Sequence, residues 1–207
     1  MGAPSRVDIR RPTARLARRG QTLIVDATAI PGVLLVQPAK HGDARGFFSE
    51  TFKASVLAAH GVNHGWAQDN HATSTRRGVL RGLHFQAPPS AQAKLVRVVR
   101  GAIFDVAVDI RRGSPTYGRH VAVELSAENW RQLYVPAGFA HGYCTLSEET
   151  EVVYKASAEY APGAEGGVGW DDPDLAIAWP VAAPVLNDRD RAWPRLKDLL
   201  SPFEVAG

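Results

Sequence analysis

Hydrophobic residues in this chain come in short runs, not at helical spacing. Residues 32–38 (GVLLVQP) read as a first strand, 43–46 (DARG) as a turn and 47–52 (FFSETF) as a second strand. Residues 53–60 form a short helix candidate that Gly61 would close. A further strand covers 66–73 around the polar centre Gln68-Asp69-Asn70. Two runs then dominate, 79–86 (VLRGLHFQ) and 94–98 (KLVRV), on either side of a Pro-rich loop at 87–93. Neither alternates cleanly, and both are apolar on two sides, so cover is expected on both faces of the sheet there. The second run passes through Gly101 into 102–110; a turn cluster at 111–116 precedes a strand at 121–125. Residues 131–135 lead into PAGFAHG at 136–142, and 151–160 is the last long strand. The remainder is irregular, with Trp170, Trp179, prolines at 162, 173, 180 and 184, and a short helix expected at 196–200. Short strands separated by Gly, Pro or Asn, with little helix, predict an all-β sandwich or barrel.

The length of 207 residues suits one domain with a sizeable core. The net charge of +3 is misleading, because residues 1–20 hold six arginines and one acid. The other 18 basic and 20 acidic side chains give −2, which argues against a nucleic-acid-binding body. The Arg-rich head lacks the apolar core of a secretory signal. It is like a transit peptide in composition, but its plainer reading is a poorly ordered extension over 1–22, before a body at 23–207. No apolar run is long enough to span a bilayer. The lone Cys144 excludes an intrachain disulfide, and fits a reducing compartment.

Arg81, His84, Gln86 and Lys94 lie within fourteen residues of otherwise apolar sequence, which suggests a lined cavity. By strand period His84 and Gln86 face away from Arg81; a bulge at Gly82 would bring Arg81 to the His84 side. Only His84 and His141 are well placed to be metal ligands, fewer than the three a catalytic metal wants. His41, His60, His64 and His71 fall in turns or at polar strand edges, and His120 is expected to face solvent. There is no nucleophile elbow and no nucleotide-binding loop. Acid–base chemistry remains, with His84 a candidate base and Tyr154 a candidate acid. Tyr154 and Tyr160 share strand parity; Lys94 could stabilise an oxyanion, and Arg45, Arg81 and Arg189 an anion such as a diphosphate.

Several blocks occur in order: GDARGFFSE (42–50), QDN (68–70), VLRGLHFQ (79–86), KLVRV (94–98), DVAVDIR (105–111), SPTYG (114–118), LSAEN (125–129) and PAGFAHG (136–142). Together they resemble the dTDP-4-dehydrorhamnose 3,5-epimerase family over about residues 30–196. The resemblance implies a cupin-type jelly-roll β-barrel with a few short helices, a cytoplasmic homodimer acting without metal or organic cofactor. It implies epimerisation of dTDP-4-dehydro-6-deoxy-D-glucose at C3 and C5, toward dTDP-L-rhamnose. By position, His84 matches the base, Asp190 its orienting partner, Tyr154 the acid and Lys94 the residue facing the C4 oxygen. Arg45, Glu50, Gln68, Asn70, Arg81, His141, Glu165 and Arg189 match sugar-nucleotide contacts, and Tyr160 an aromatic stacked on thymine. The chain departs at 186–190, where LNDRD replaces the family's Leu-Ser-x-Lys-Asp; Arg189 keeps the charge with a different geometry. Other readings are a single-centre epimerase on the same fold, a non-catalytic sugar-binding barrel that would need neither His84 nor Tyr154, and a metal-dependent oxygenase, against which the ligand count argues.

Overall fold

The structure, a computed structural model, describes residues 22–205. The Arg-rich head lies outside the described residues. The strands are β1 (Leu23–Ala27), β2 (Leu34–Pro38), β3 (His41–Asp43), β4 (Gly46–Phe48), β5 (Gln68–Ser74), β6 (Leu80–Gln86), β7 (Lys94–Arg100), β8 (Ala102–Asp109), β9 (His120–Ser126), β10 (Gln132–Val135), β11 (Phe139–Thr145), β12 (Thr150–Ala156) and β13 (Glu165–Gly167). Among the described residues, helices are limited to α1 (Ala54–Ala58), α2 (Asp188–Arg191) and two single 3-10 turns. One sheet has the order β1-β2-β10-β7-β12-β5, the other β13-β6-β11-β8-β9, and β3 and β4 form a separate hairpin. This is the expected all-β, cupin-type jelly roll. None of the helices is long and apolar enough to cross a membrane.

The apolar runs are double-sided because three layers of side chains cover two sheets. Between the sheets, Val96, Val98, Leu133 and Val152 meet Ile103, Ala107, Val121 and Phe139. Outside the second sheet, Leu83, Phe85, Val106 and Val108 pack under Val168, Leu175, Leu196 and Phe203 of the C-terminal segment. Outside the first sheet, Leu34, Val36, Leu95 and Tyr134 pack under Leu57, Val62, Phe52 and Trp66. Alternate residues of β7 and β8 therefore enter different apolar layers, and the period-2 contrast that marks a half-solvated strand disappears.

Some elements differ from the sequence expectation. The second strand stops at Phe48, and side chains from elsewhere hold the segment beyond it. Gln132 donates to the Thr51 carbonyl at 2.7 Å, and the Trp130 indole donates to Ser49 Oγ at 2.9 Å. The last long strand ends at Ala156, not at residue 160. Beyond it glutamine side chains replace the ladder: Gln68 accepts from the Tyr160 N–H at 2.8 Å, Gln86 from the Ala161 N–H at 2.9 Å, and Gln92 donates to the Ala158 carbonyl at 2.7 Å. The helix expected at 196–200 is a single 3-10 turn, Leu196–Asp198. Strands β1, β3 and β13 and helix α2 were not read from the sequence.

The expected bulge is present. On β11, His141 pairs with His84 but Tyr143 pairs with Arg81, so three residues of β6 oppose two steps of β11. Gly82 has a φ of +132°, and a Cβ there would lie 2.5 Å from Gly142 Cα and 2.9 Å from the His141 carbonyl oxygen. Both the backbone conformation and the space require glycine. Gly82→Ala should therefore destabilise the protein by more than about 2 kcal/mol in urea unfolding. A loss below about 0.5 kcal/mol, the range of a bland surface change, would show that the two strands can part without cost.

Candidate active site

The bulge turns Arg81 and His84 toward one cavity of about 250 Å³ between the sheets, lined also by Lys94, His141, Tyr143, Tyr154, Tyr160, Glu165, Arg189 and Asp190. His84 stands on β6 in one sheet, and Tyr154 on β12 and Lys94 on β7 in the other. An imidazole and a phenol thus approach the same space from opposite walls.

His84 Nε2 is 2.6 Å from Asp190 Oδ1. Asp190 is buried, and its second oxygen accepts the Gly82 backbone N–H at 3.2 Å. Burial works to raise the Asp190 pKa, but the His84 bond and charge, the Gly82 N–H and the Arg189 charge outweigh it and hold the carboxyl below its ordinary value. An ionised carboxylate behind the ring fixes the tautomer and leaves Nδ1 as the basic nitrogen. Asp190 is presented by α2, whose first turn is capped by Asn187 Oδ1 accepting the Asp190 N–H at 2.7 Å. Asn before an acidic pair is a helix-start signal that the sequence reading passed over.

A second pair lies one strand away: His141 Nε2 is 2.8 Å from Asp105 Oδ1, with both residues buried. Burial lowers the Lys94 pKa to about 8, although the Asp105 and Glu165 charges favour its cation. Burial likewise raises Tyr154 above its ordinary value, with Arg81 opposing and Glu165 adding, so Tyr154 rests protonated. At the mouth, Glu165 Oε2 accepts from Tyr160 Oη at 3.0 Å and from Arg189 Nη1 at 2.5 Å. Tyr160 is 51 % exposed, a free aromatic face beside the opening.

Other expected site residues lie elsewhere. Gln68 donates to Asn70 Oδ1 at 2.7 Å on β5, at the edge of the first sheet. Arg45 is on the β3–β4 hairpin, its side chain 89 % exposed and paired with Asp43 at 2.5 Å. Glu50 accepts from Thr22 at 2.5 Å and sits 3.5 Å from Lys53. Neither Arg45 nor Glu50 lines the cavity of its own chain. His120 is half-buried instead of solvent-facing, and burial lowers its pKa. Among the described residues no group of three or more His, Cys, Asp or Glu is arranged to hold a metal ion.

Two contributors had no sequence signal. Tyr143 lines the cavity from β11. Trp193 presents its ring edge-on to His84 at 6.1 Å between centroids, and a Cβ on Gly167 would run into the indole. An apolar ring against the imidazole restricts its motion and excludes water from that side.

The model of the family described as dTDP-4-dehydrorhamnose 3,5-epimerase matches residues 27–198. A relative of that name from Shigella flexneri is 54 % identical over 164 residues, 79 % of this chain and 90 % of the relative. A dTDP-6-deoxy-D-glucose-3,5-epimerase from Legionella pneumophila, solved in complex with dTDP-4-keto-L-rhamnose, superposes with a TM-score of 0.84 at 42 % identity, covering 89 % of this chain and all of that one. A dTDP-4-dehydrorhamnose 3,5-epimerase from Bacillus anthracis with TDP and PPi bound gives 0.81 at 47 % identity, over 84 % of this chain and 99 % of the other.

The burial of Lys94 is open to direct measurement. Its 13Cε resonance in lysine-labelled protein, assigned with Lys94→Arg, should titrate near 8 where an ordinary lysine titrates near 10.5. Between those values the unfolded chain binds more protons than the folded one, so this group's contribution to stability should rise with pH from about 8 to about 10.5. Titration at the ordinary value would show the ammonium to be solvated.

Proposed function

The chain belongs to the dTDP-4-dehydrorhamnose 3,5-epimerase family, and we propose that its cavity inverts C3 and C5 of dTDP-4-dehydro-6-deoxy-D-glucose by proton transfer between His84 and Tyr154. The product is dTDP-4-dehydro-L-rhamnose, for dTDP-L-rhamnose synthesis. The observation that carries this reading is His84 on one wall, backed by the buried Asp190, and the protonated Tyr154 on the other, with Lys94 beside Tyr154 in the same sheet.

His84 takes the proton from a carbon next to the C4 ketone. The electron pair moves to the C4 oxygen and forms an enolate. Lys94 supplies fixed positive charge to that oxygen, in a site too enclosed for water to screen it well. Asp190 stabilises the imidazolium that results. Tyr154 then gives its hydroxyl proton to the same carbon from the opposite face, and the enolate returns to the ketone with that centre inverted. Arg81 favours the tyrosinate left behind. Solvent resets both groups, and the cycle repeats at the second carbon. No step calls for a metal or an organic cofactor. Arg81, whose side chain makes only a 3.3 Å bond to the Thr73 carbonyl, and Arg189 at the mouth suit the diphosphate. Tyr160 suits the thymine face. His141 and Glu165 complete the walls, and Gln68 and Asn70 lie outside them on β5.

Arg45 and Glu50 fit this reading in a cytoplasmic homodimer. Their hairpin is exposed, with Phe47 at 56 % and Phe48 at 72 % exposure. The outer face of the first sheet beside it holds a cavity of about 380 Å³, lined by Phe52, Asp69, His71, Arg97 and Lys155. A second copy seated on that face would place the Arg45 hairpin at the partner's substrate.

Deuterium incorporation from D2O tests the chemistry. Wild type should take up deuterium at both C3 and C5; uptake at one centre alone would establish the single-centre reading instead. His84→Ala should lose exchange at both by at least about 10²-fold, the usual worth of a general base. Tyr154→Phe should keep wash-in of deuterium while inversion falls by a similar factor. Native exchange in His84→Ala would move the base to another group, His141 first.

Mixing tests the dimer. Co-expressed His84→Ala and Arg45→Ala chains should recover about a quarter of wild-type activity if Arg45 serves the partner's cavity across a two-fold interface. No recovery would place Arg45 in its own chain's site, and full activity of Arg45→Ala alone would place it outside both.

A further inference from the structure

Tyr143 carries a buried hydroxyl that no bond in the protein explains. The residue is 5 % exposed, lies between the sheets and lines the cavity with Arg81, Lys94 and Tyr154. Among the described residues its Oη has no hydrogen-bond partner. The nearest candidate in register is Asp105 on β8, directly opposite Tyr143 on β11. Asp105 also has an oxygen without a partner, yet the two do not bond to each other. A buried phenol left without a partner costs stability, and phenylalanine would fill the same volume without that cost. The free protein thus gains nothing from this oxygen.

We propose that the Tyr143 hydroxyl is a substrate-positioning donor, held unbonded in the free protein and satisfied by an oxygen of the bound hexose. The inference rests on the cavity being the sugar-nucleotide site. Three features support it. The residue lines the cavity with Arg81, Lys94 and Tyr154, and its hydroxyl is buried. Burial raises its pKa to about 12, so it stays protonated and offers a proton throughout the working range. Its cross-strand partner is Arg81, fixed by the same bulge that orients His84. A donor anchored on a fully buried central strand loses little freedom on binding, and an oxygen already stripped of water bonds to the sugar without further desolvation.

Tyr143→Phe isolates the hydroxyl, since ring and packing are kept. The measurements are the melting temperature of the free protein, KM and kcat for dTDP-4-dehydro-6-deoxyglucose, and the inhibition constant of dTDP. The expected pattern is a melting temperature unchanged or raised, a KM roughly five- to tenfold higher, the worth of one net hydrogen bond, and an inhibition constant for dTDP unchanged. A role in packing alone would lower the melting temperature and leave KM alone, and that result overturns the proposal. So does an equal loss for dTDP and for the sugar nucleotide, which would put the hydroxyl at the nucleotide. Wild type measured in parallel separates the two readings. If wild type does not turn the ketosugar over, the functional reading fails and this one with it; if it does and the variant matches its KM, only the Tyr143 assignment fails.

Discussion

The contact of two backbones at Gly82 and Gly142 is the constraint on which the cavity depends. Each glycine fills the space where the other's Cβ would stand: a Cβ on Gly142 would lie 2.7 Å from the Arg81 carbonyl oxygen and 3.0 Å from Gly82 Cα. The close approach shifts the register of β6 against β11, so residues three apart on β6 share one face. In a regular strand a spacing of three puts side chains on opposite faces. Arg81 and His84 would then be divided between the cavity and the outer apolar layer. The same bend turns the Gly82 N–H out of the ladder, where it meets Asp190. One backbone irregularity therefore positions the candidate base, the arginine proposed for the diphosphate and the carboxylate behind the base.

Charge inside the barrel is held in a consistent way. Each cavity imidazole has one nitrogen on a buried carboxylate, His84 on Asp190 and His141 on Asp105. An isolated carboxylate at those depths would be strongly destabilising, and a buried charge persists only with partners. Lys94 has no direct carboxylate partner, and burial lowers its pKa. Like Arg81, it is a cavity cation to which no carboxylate is bonded. A developing enolate oxygen gains most from such a group, because no bonded carboxylate has to be displaced before the charges meet.

Much of this was legible in the sequence, and what was not has a physical cause. Double-sided apolar runs at 79–86 and 94–98 foretold strands covered on both faces, and Gly82 inside such a run foretold the bulge. His84, Lys94 and Tyr154 could be named because polar groups in apolar strands need a reason. Tyr143 could not: an aromatic in an apolar strand is indistinguishable from core until its hydroxyl is seen to lack a partner. The end of the last strand was misjudged because the glutamines that terminate it lie far away in the chain, at 68, 86 and 92. Glu50 was matched by motif alone and Arg45 by motif and charge, and neither signal says where in the fold a residue falls relative to the cavity.

The C-terminal segment shows why the site and the stability of the second sheet cannot be separated. Asp190 comes from residues that sequence patterning leaves irregular, more than a hundred positions after His84. That segment is held by the outer apolar layer, where Leu175, Leu196 and Phe203 cover Leu83, Phe85 and Val108. The parallel bridge between Val79 and Val185 fastens it at the start of β6. Release of the tail would expose that layer and, in the same event, strip His84 of its carboxylate and of Trp193. Local opening of a region this rich in buried contacts carries a large share of the global unfolding free energy. The orienting carboxylate is thereby as persistent as the fold itself, even though it sits on a single turn of helix with little stability of its own.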